Sequence, residues 1–200
     1  MLLDRLRSLI VLPQGELADV PWSELEQAMG TALPSEYKEF VQRVPPGFLR
    51  GTLEVFHPLD RGGPEAFVEK IVAVARSYQI IASSQIETAA RESPQEFDTV
   101  EPRGNTVVGT PLATFYPAKG GMIPWGDFEA HVNLWWDTRA ENPDTWPVVV
   151  CNEFLRYEVL FGSTIDCLTD LVAGRAPTSV FPAYFWEVEP EFVAHRSAGF

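Results

Sequence analysis

WSELEQAMGTALPSEYKEFV, residues Trp22 to Val41, reads as two short amphipathic helices with a sharp break between them. Trp22, Leu25 and Met29 fall at i, i+3, i+7, which gathers them on one face and leaves Glu24, Glu26 and Gln27 on the other. Gly30 suits the left-handed position that closes a helix. Pro34 has the fixed φ and the missing donor that fit the first position of the next helix. That helix repeats the pattern with Tyr37, Phe40, Val41 and Val44 at i, i+3, i+4, i+7.

Working outward, the segment before the pair carries Leu2, Leu3, Leu6, Leu9 and Ile10 on one helical face. Asp4, Arg5 and Arg7 interrupt these leucines, so the apolar run is too short for a secretory signal. No stretch approaches the roughly 20 apolar residues of a membrane span, and a cytoplasmic location is expected by default. After the pair, Val44-Pro45-Pro46-Gly47 forbids helix and forms a turn. Residues 52–58 read as a strand with Leu53, Val55 and His57 on one side. Pro64 starts the longest helical pattern, 64–81, striped by Phe67, Ile71, Val74 or Ala75, and Tyr78. Weak periodicity over 82–104 predicts a short helix at 84–91 and then an exposed loop.

Beyond residue 104 the period changes from 3.6 to 2. The runs NTVVG, PLATFYP, GMIPWG, HVNLWWD, PVVVCN and RYEVLFG are β-branched or aromatic, with Gly, Pro, Asn and Asp between them, as in an antiparallel meander. Ser163 then caps a helix over 163–173, with Asp166 placed to reach back. Ile165, Leu168, Leu171 and Val172 form its stripe, and Gly174 stops it. Helices at both ends of a sheet-forming block predict one α+β domain over residues 1–200.

The helix pair joined by Leu33-Pro34 resembles the N-terminal signature of the SUKH superfamily, the Smi/Knr-like proteins. Ile123-Pro124-Trp125-Gly126, Leu134-Trp135-Trp136-Asp137, Trp146-Pro147-Val148-Val149 and Phe161 to Leu168 are similar, in order, to its later blocks. The resemblance spans about residues 20–175 and leaves 176–200 as a C-terminal extension. It implies a non-catalytic protein-binding module, either an immunity-type protein that neutralises a toxin or a regulatory adaptor of the cell-wall branch.

The formal charge of −13 over 200 residues disfavours nucleic acid and anionic membranes, because no Lys/Arg cluster is present to displace counterions. It suits a basic protein partner, such as a nuclease-type toxin domain, or simple solubility. The histidines His57, His131 and His195 lie far apart with no zinc spacing, and no GxSxG elbow or P-loop occurs. No catalytic residue, metal or organic cofactor is therefore expected. Cys151 and Cys167 lack CxxC partners and read as small buried apolar residues.

Three groups of residues are the candidate partner contacts. Glu187, Glu189 and Glu191 alternate in WEVEPEF. In an extended segment they form an acidic comb, or else a solvated edge that resists aggregation. Asp137, Glu141 and Asp144 make a second acidic patch. Trp135 and Trp136 point to opposite sides of a strand. Unless both faces are covered, one indole is exposed and becomes a binding hot spot.

Overall fold

In the computed structural model, which describes residues 2–13, 19–92, 101–103, 106–109, 114–160, 162–176 and 178–195, the N-terminal apolar stripes become α1 (Leu2–Arg7), α2 (Trp22–Met29) and α3 (Ser35–Arg43). Gly30 closes α2 at φ 68°, the left-handed conformation that only a residue without Cβ adopts freely. Pro34 sits one residue earlier than expected, as the cap preceding Ser35. Glu26 fixes the break: its Oε1 accepts from the Leu33 N–H at 2.9 Å and from Lys38 Nζ at 2.8 Å.

Two short strands follow, β1 (Gly47–Leu49) and β2 (Leu53–Val55). Strand β1 begins at Gly47, the last residue of the expected turn, and β2 is shorter than the expected 52–58. His57 lies past the strand end, where its Nε2 is 3.0 Å from the carbonyls of both Val41 and Val44.

Helix α4 runs unbroken from Gly63 to Glu92, which corrects the division into a helix at 64–81 and another at 84–91. No Gly or Pro falls between Pro64 and Glu92 to stop it, and Ala82 is buried where the first helix was expected to have ended. The exposed loop expected up to residue 104 falls largely on residues 93–100, outside the described residues, and where it is described, at Glu101–Arg103, it is corrected to a strand paired with Thr106–Gly109.

The second half gives β3 (Glu101–Arg103), β4 (Thr106–Gly109), β5 (Ile123–Phe128), β6 (Val132–Trp136), β7 (Val148–Asn152) and β8 (Tyr157–Leu160). These lead to α5 (Thr164–Val172), α6 (Ala183–Glu187) and β9 (Phe192–Ala194). All nine described strands join one sheet, in the order β3-β4-β8-β7-β6-β5-β2-β1-β9. Every strand pairing is antiparallel. This is the single α+β domain that the change of period implies.

Gly126 explains the Ile123-Pro124-Trp125-Gly126 block. The register of β5 on β6 shifts between Pro124 and Gly126, and a Cβ on Gly126 would stand 2.7 Å from the Glu54 carbonyl. The bulge turns Trp125 inward to stack on Trp136, 5.4 Å between centroids at 15°.

Residues 178–195 are part of this fold. Val180, Phe181 and Phe185 are buried in it, and β9 extends the sheet beside β1. Arg50 anchors the segment. Its buried guanidinium donates to the carbonyls of Val172 at 2.7 Å, Phe185 at 3.2 Å and Trp186 at 3.0 Å, and also to Val188. A buried cation needs such complete hydrogen bonding to offset its lost hydration.

Candidate functional site

Strand β6 is buried along its whole length. Trp136 packs edge-on against Tyr37 of α3 at 5.0 Å, and its Nε1 donates to Thr164 Oγ1 at 3.1 Å. On the opposite face, Trp135 packs edge-on against Tyr78 of α4 at 4.8 Å and against Phe115 at 5.2 Å. Both indoles are 0% exposed. The expectation of one exposed indole is therefore corrected: α3 covers one face and α4 the other, so neither tryptophan offers surface to a partner.

The patch Asp137, Glu141 and Asp144 divides by role. Asp137 accepts from Arg139 Nε at 2.8 Å and 3.0 Å through its two oxygens. The paired guanidinium in turn holds its own pKa above the ordinary arginine value through this hydrogen bond and charge. Asp144 Oδ1 accepts from the Ser35 N–H at 2.6 Å, so a distant loop supplies the cap that α3 lacks locally. Only Glu141 remains an exposed carboxylate with no such task.

Glu187, Glu189 and Glu191 are all exposed, but they do not share one extended segment. Glu187 ends helix α6, and the other two lie between it and β9. Glu189 is the charge that opposes the lowering of the Arg50 pKa by burial, and the Glu191 carbonyl accepts from the Arg50 N–H at 2.8 Å. The three glutamates thus form a short acidic edge pinned by one buried arginine.

The fold also assembles a group that spacing could not reveal. Ligand atoms of Glu54, Asp60 and His195 lie within 4.8 Å of one another. His195 Nδ1 is 3.1 Å from Asp60 Oδ1. Burial acts to raise the Asp60 carboxyl, but hydrogen bonds from His195 and the Arg61 backbone, with the nearby Lys70 charge, hold it below its ordinary value. One imidazole and two carboxylates suit a divalent cation in type. However, Lys70 Nζ already sits on both Glu54 oxygens, at 2.7 and 2.8 Å, and 4.1 Å over the Phe56 ring. This cluster therefore has its own cation.

Beside the cluster is a cavity of about 500 Å³ lined by Phe48, Asp60, Arg61, Val193, Ala194 and His195. A carboxylate-oriented imidazole is the geometry of a general base. Among the described residues no hydroxyl or thiol lines this cavity, and His195 Nε2 is buried with no hydrogen-bond partner. Both thiols are elsewhere and buried, and burial pushes Cys151 and Cys167 up to about 12, far from a reactive thiolate. Among the described residues no helix is long and apolar enough to cross a membrane.

Comparison of the chain with family models, curated proteins and solved structures gives no match.

Proposed function

We propose that this chain is a non-catalytic protein-binding module of the cytoplasm, an immunity-type protein that neutralises a toxin by direct contact with the toxin's basic surface. The observation that carries this reading is the acidic edge Glu187, Glu189 and Glu191. All three are exposed on a segment anchored by Arg50, in a chain of net charge −13. Fixed like charges of this kind steer a cationic partner and accelerate encounter while screening reduces the effect in salt. The resemblance of the helix pair and the aromatic blocks to the SUKH superfamily supports the same class of role.

The test is capture of the partner from the native host, followed by co-expression of that partner alone and together with this chain. The reading expects a basic protein that arrests growth alone, is harmless with this chain present, and associates more slowly as salt rises. A partner that is acidic, or whose expression is harmless without this chain, would overturn the toxin reading; a harmless partner would favour the regulatory adaptor.

A further inference from the structure

Between the first turns of α2 and α4 lies an open groove of about 610 Å³. Leu25 is buried within it, Val68 is half-buried, and Ala28 is exposed at its side. Glu24, Glu65 and Glu69 also line it, and all three are exposed. Among the described residues no lysine or arginine lines the groove. Among the described residues none of these three carboxylates has a hydrogen-bond or ion-pair partner, in contrast to Glu26, Glu54 and Asp144.

Glu24 and Glu65 lie in the first turns of their helices, which gives part of the explanation, whereas Glu69 lies a turn further in. Each terminus carries roughly half a positive charge, so the two offset about one of the three negative charges. About two remain uncompensated around an apolar lining, and this combination calls for a ligand with an apolar centre and cationic flanks.

The walls of the groove are helices, whose free first-turn N–H groups lie along the helix axis and do not form a strand edge. They offer no free edge to which an extended peptide could add as a strand. A helix satisfies its own backbone and presents apolar residues at i, i+3 and i+4 with cations beside them. Glu65 and Glu69 are one turn apart on α4, about 6 Å along the axis, which matches cations one turn apart on a helix lying alongside.

We propose that this groove seats a basic amphipathic helix of the protein partner, with an apolar side chain on Leu25 and Val68 and Lys or Arg side chains against Glu24, Glu65 and Glu69. The inference rests on the binding reading above and adds the form of the partner's segment and the place where it sits.

The probe is a short Leu/Lys peptide of helical period, titrated at low salt into methyl-labelled protein and followed by NMR. The methyl groups of Leu25, Ala28 and Val68 are expected to shift. The triple variant Glu24→Gln, Glu65→Gln, Glu69→Gln should weaken binding about tenfold. Ala28→Trp, made at an exposed position with every charge retained, should block binding by filling the groove. A Leu/Glu peptide of the same pattern should not bind.

Absence of shifts in the groove, equal binding of the acidic peptide, or indifference to both variants overturns the inference. Shifts confined to the Val188 methyls, between Glu187 and Glu189, overturn the groove while leaving a basic partner in place. An equal response to a small polyamine overturns it as well, because charge alone would then suffice. Failure of the toxin reading is seen separately, in the co-expression experiment.

Discussion

Strand Val132–Trp136 and segment Glu187–Glu191 carry the two features that stand out in the sequence as contacts for a partner, and the fold treats them in opposite ways. The strand lies at the centre of the sheet under a helix on each face, so its two tryptophans are structural. The segment lies at the rim, held by backbone contacts to Arg50, so its three carboxylates stay in water. Alternation along a strand tells which side chains oppose each other. Whether a given face is covered depends on helices far away in the chain. Stability should therefore respond to the strand and association to the rim.

The sharpest way to break this contrast is at the strand. Trp136→Ala removes an indole that stacks on Trp125 and meets Tyr37, and Trp135→Ala one that meets Tyr78 and Phe115. Each should lower unfolding free energy by about 3–5 kcal/mol in urea melts. A variant that keeps wild-type stability would show that its indole is not the buried prop described above.

Next in size is Arg50→Met, which keeps bulk but leaves the carbonyls of Val172, Phe185, Trp186 and Val188 without their donor. A loss of about 3 kcal/mol is expected, accompanied by faster amide exchange from Phe185 to Ala194. Exchange unchanged in that segment would mean that the arginine does not anchor the acidic rim.

A smaller effect comes from pH through His57. Burial lowers its pKa below the ordinary 6.5. Its Nδ1 accepts from the Leu59 N–H at 3.0 Å, so the proton of the neutral ring is on Nε2, facing the two carbonyls. The unfolded state then takes up a proton at higher pH than the folded state. Stability is greatest above the ordinary value and declines as pH falls below it and through the folded value. Urea midpoints should show this decline, and His57→Gln should flatten it from the ordinary histidine value downward. Equal slopes for both proteins would contradict the assignment.

The smallest effects distinguish carboxylates that serve the fold from those left free. Asp144→Ala should cost about 1 kcal/mol, because α3 loses the cap on its Ser35 N–H. Glu141→Gln, and Glu187→Gln with Glu189→Gln and Glu191→Gln, should each change stability by less than about 0.5 kcal/mol per site. Replacing the rim glutamates should instead slow association with a basic partner at low salt. If Asp144 and Glu141 respond alike, the capping role fails.

What the sequence made legible was local. The helix pair and the left-handed Gly30 depend on residues a few positions apart, and so does the cap in which Ser163 Oγ accepts from the Asp166 N–H at 3.2 Å. Most of the meander was equally readable, because turn residues separate runs of period 2; of PLATFYP, residues 111–113 lie outside the described residues and Phe115 makes only an isolated bridge to Met122. Strand β1 was hidden by the prolines before it, and β9 has strand partners only from residues 47–49. The full length of α4 is not legible because its periodicity weakens beyond Ile81, although no residue there stops a helix. The guanidinium hydrogen bonds of Arg50 reach 122 to 138 residues along the chain, and His195 reaches Asp60 across 135. Such pairings follow from topology, and no spacing rule contains them. The acidic loop shows a further limit: composition gives the charge of Asp144 but not the helix N-terminus, 109 residues away, that uses it.

Helix α4 has a mechanical consequence. At 1.5 Å per residue its 30 residues form a rod of about 45 Å. Phe67 and Ile71 belong to the larger apolar cluster, which contains Trp136, whereas Ala75, Tyr78 and Ala82 belong to the smaller one around Trp135. One continuous stripe on a stiff beam thus passes from one cluster to the other. Neither cluster can swell without levering against its neighbour, so heat should melt the two as one cooperative unit.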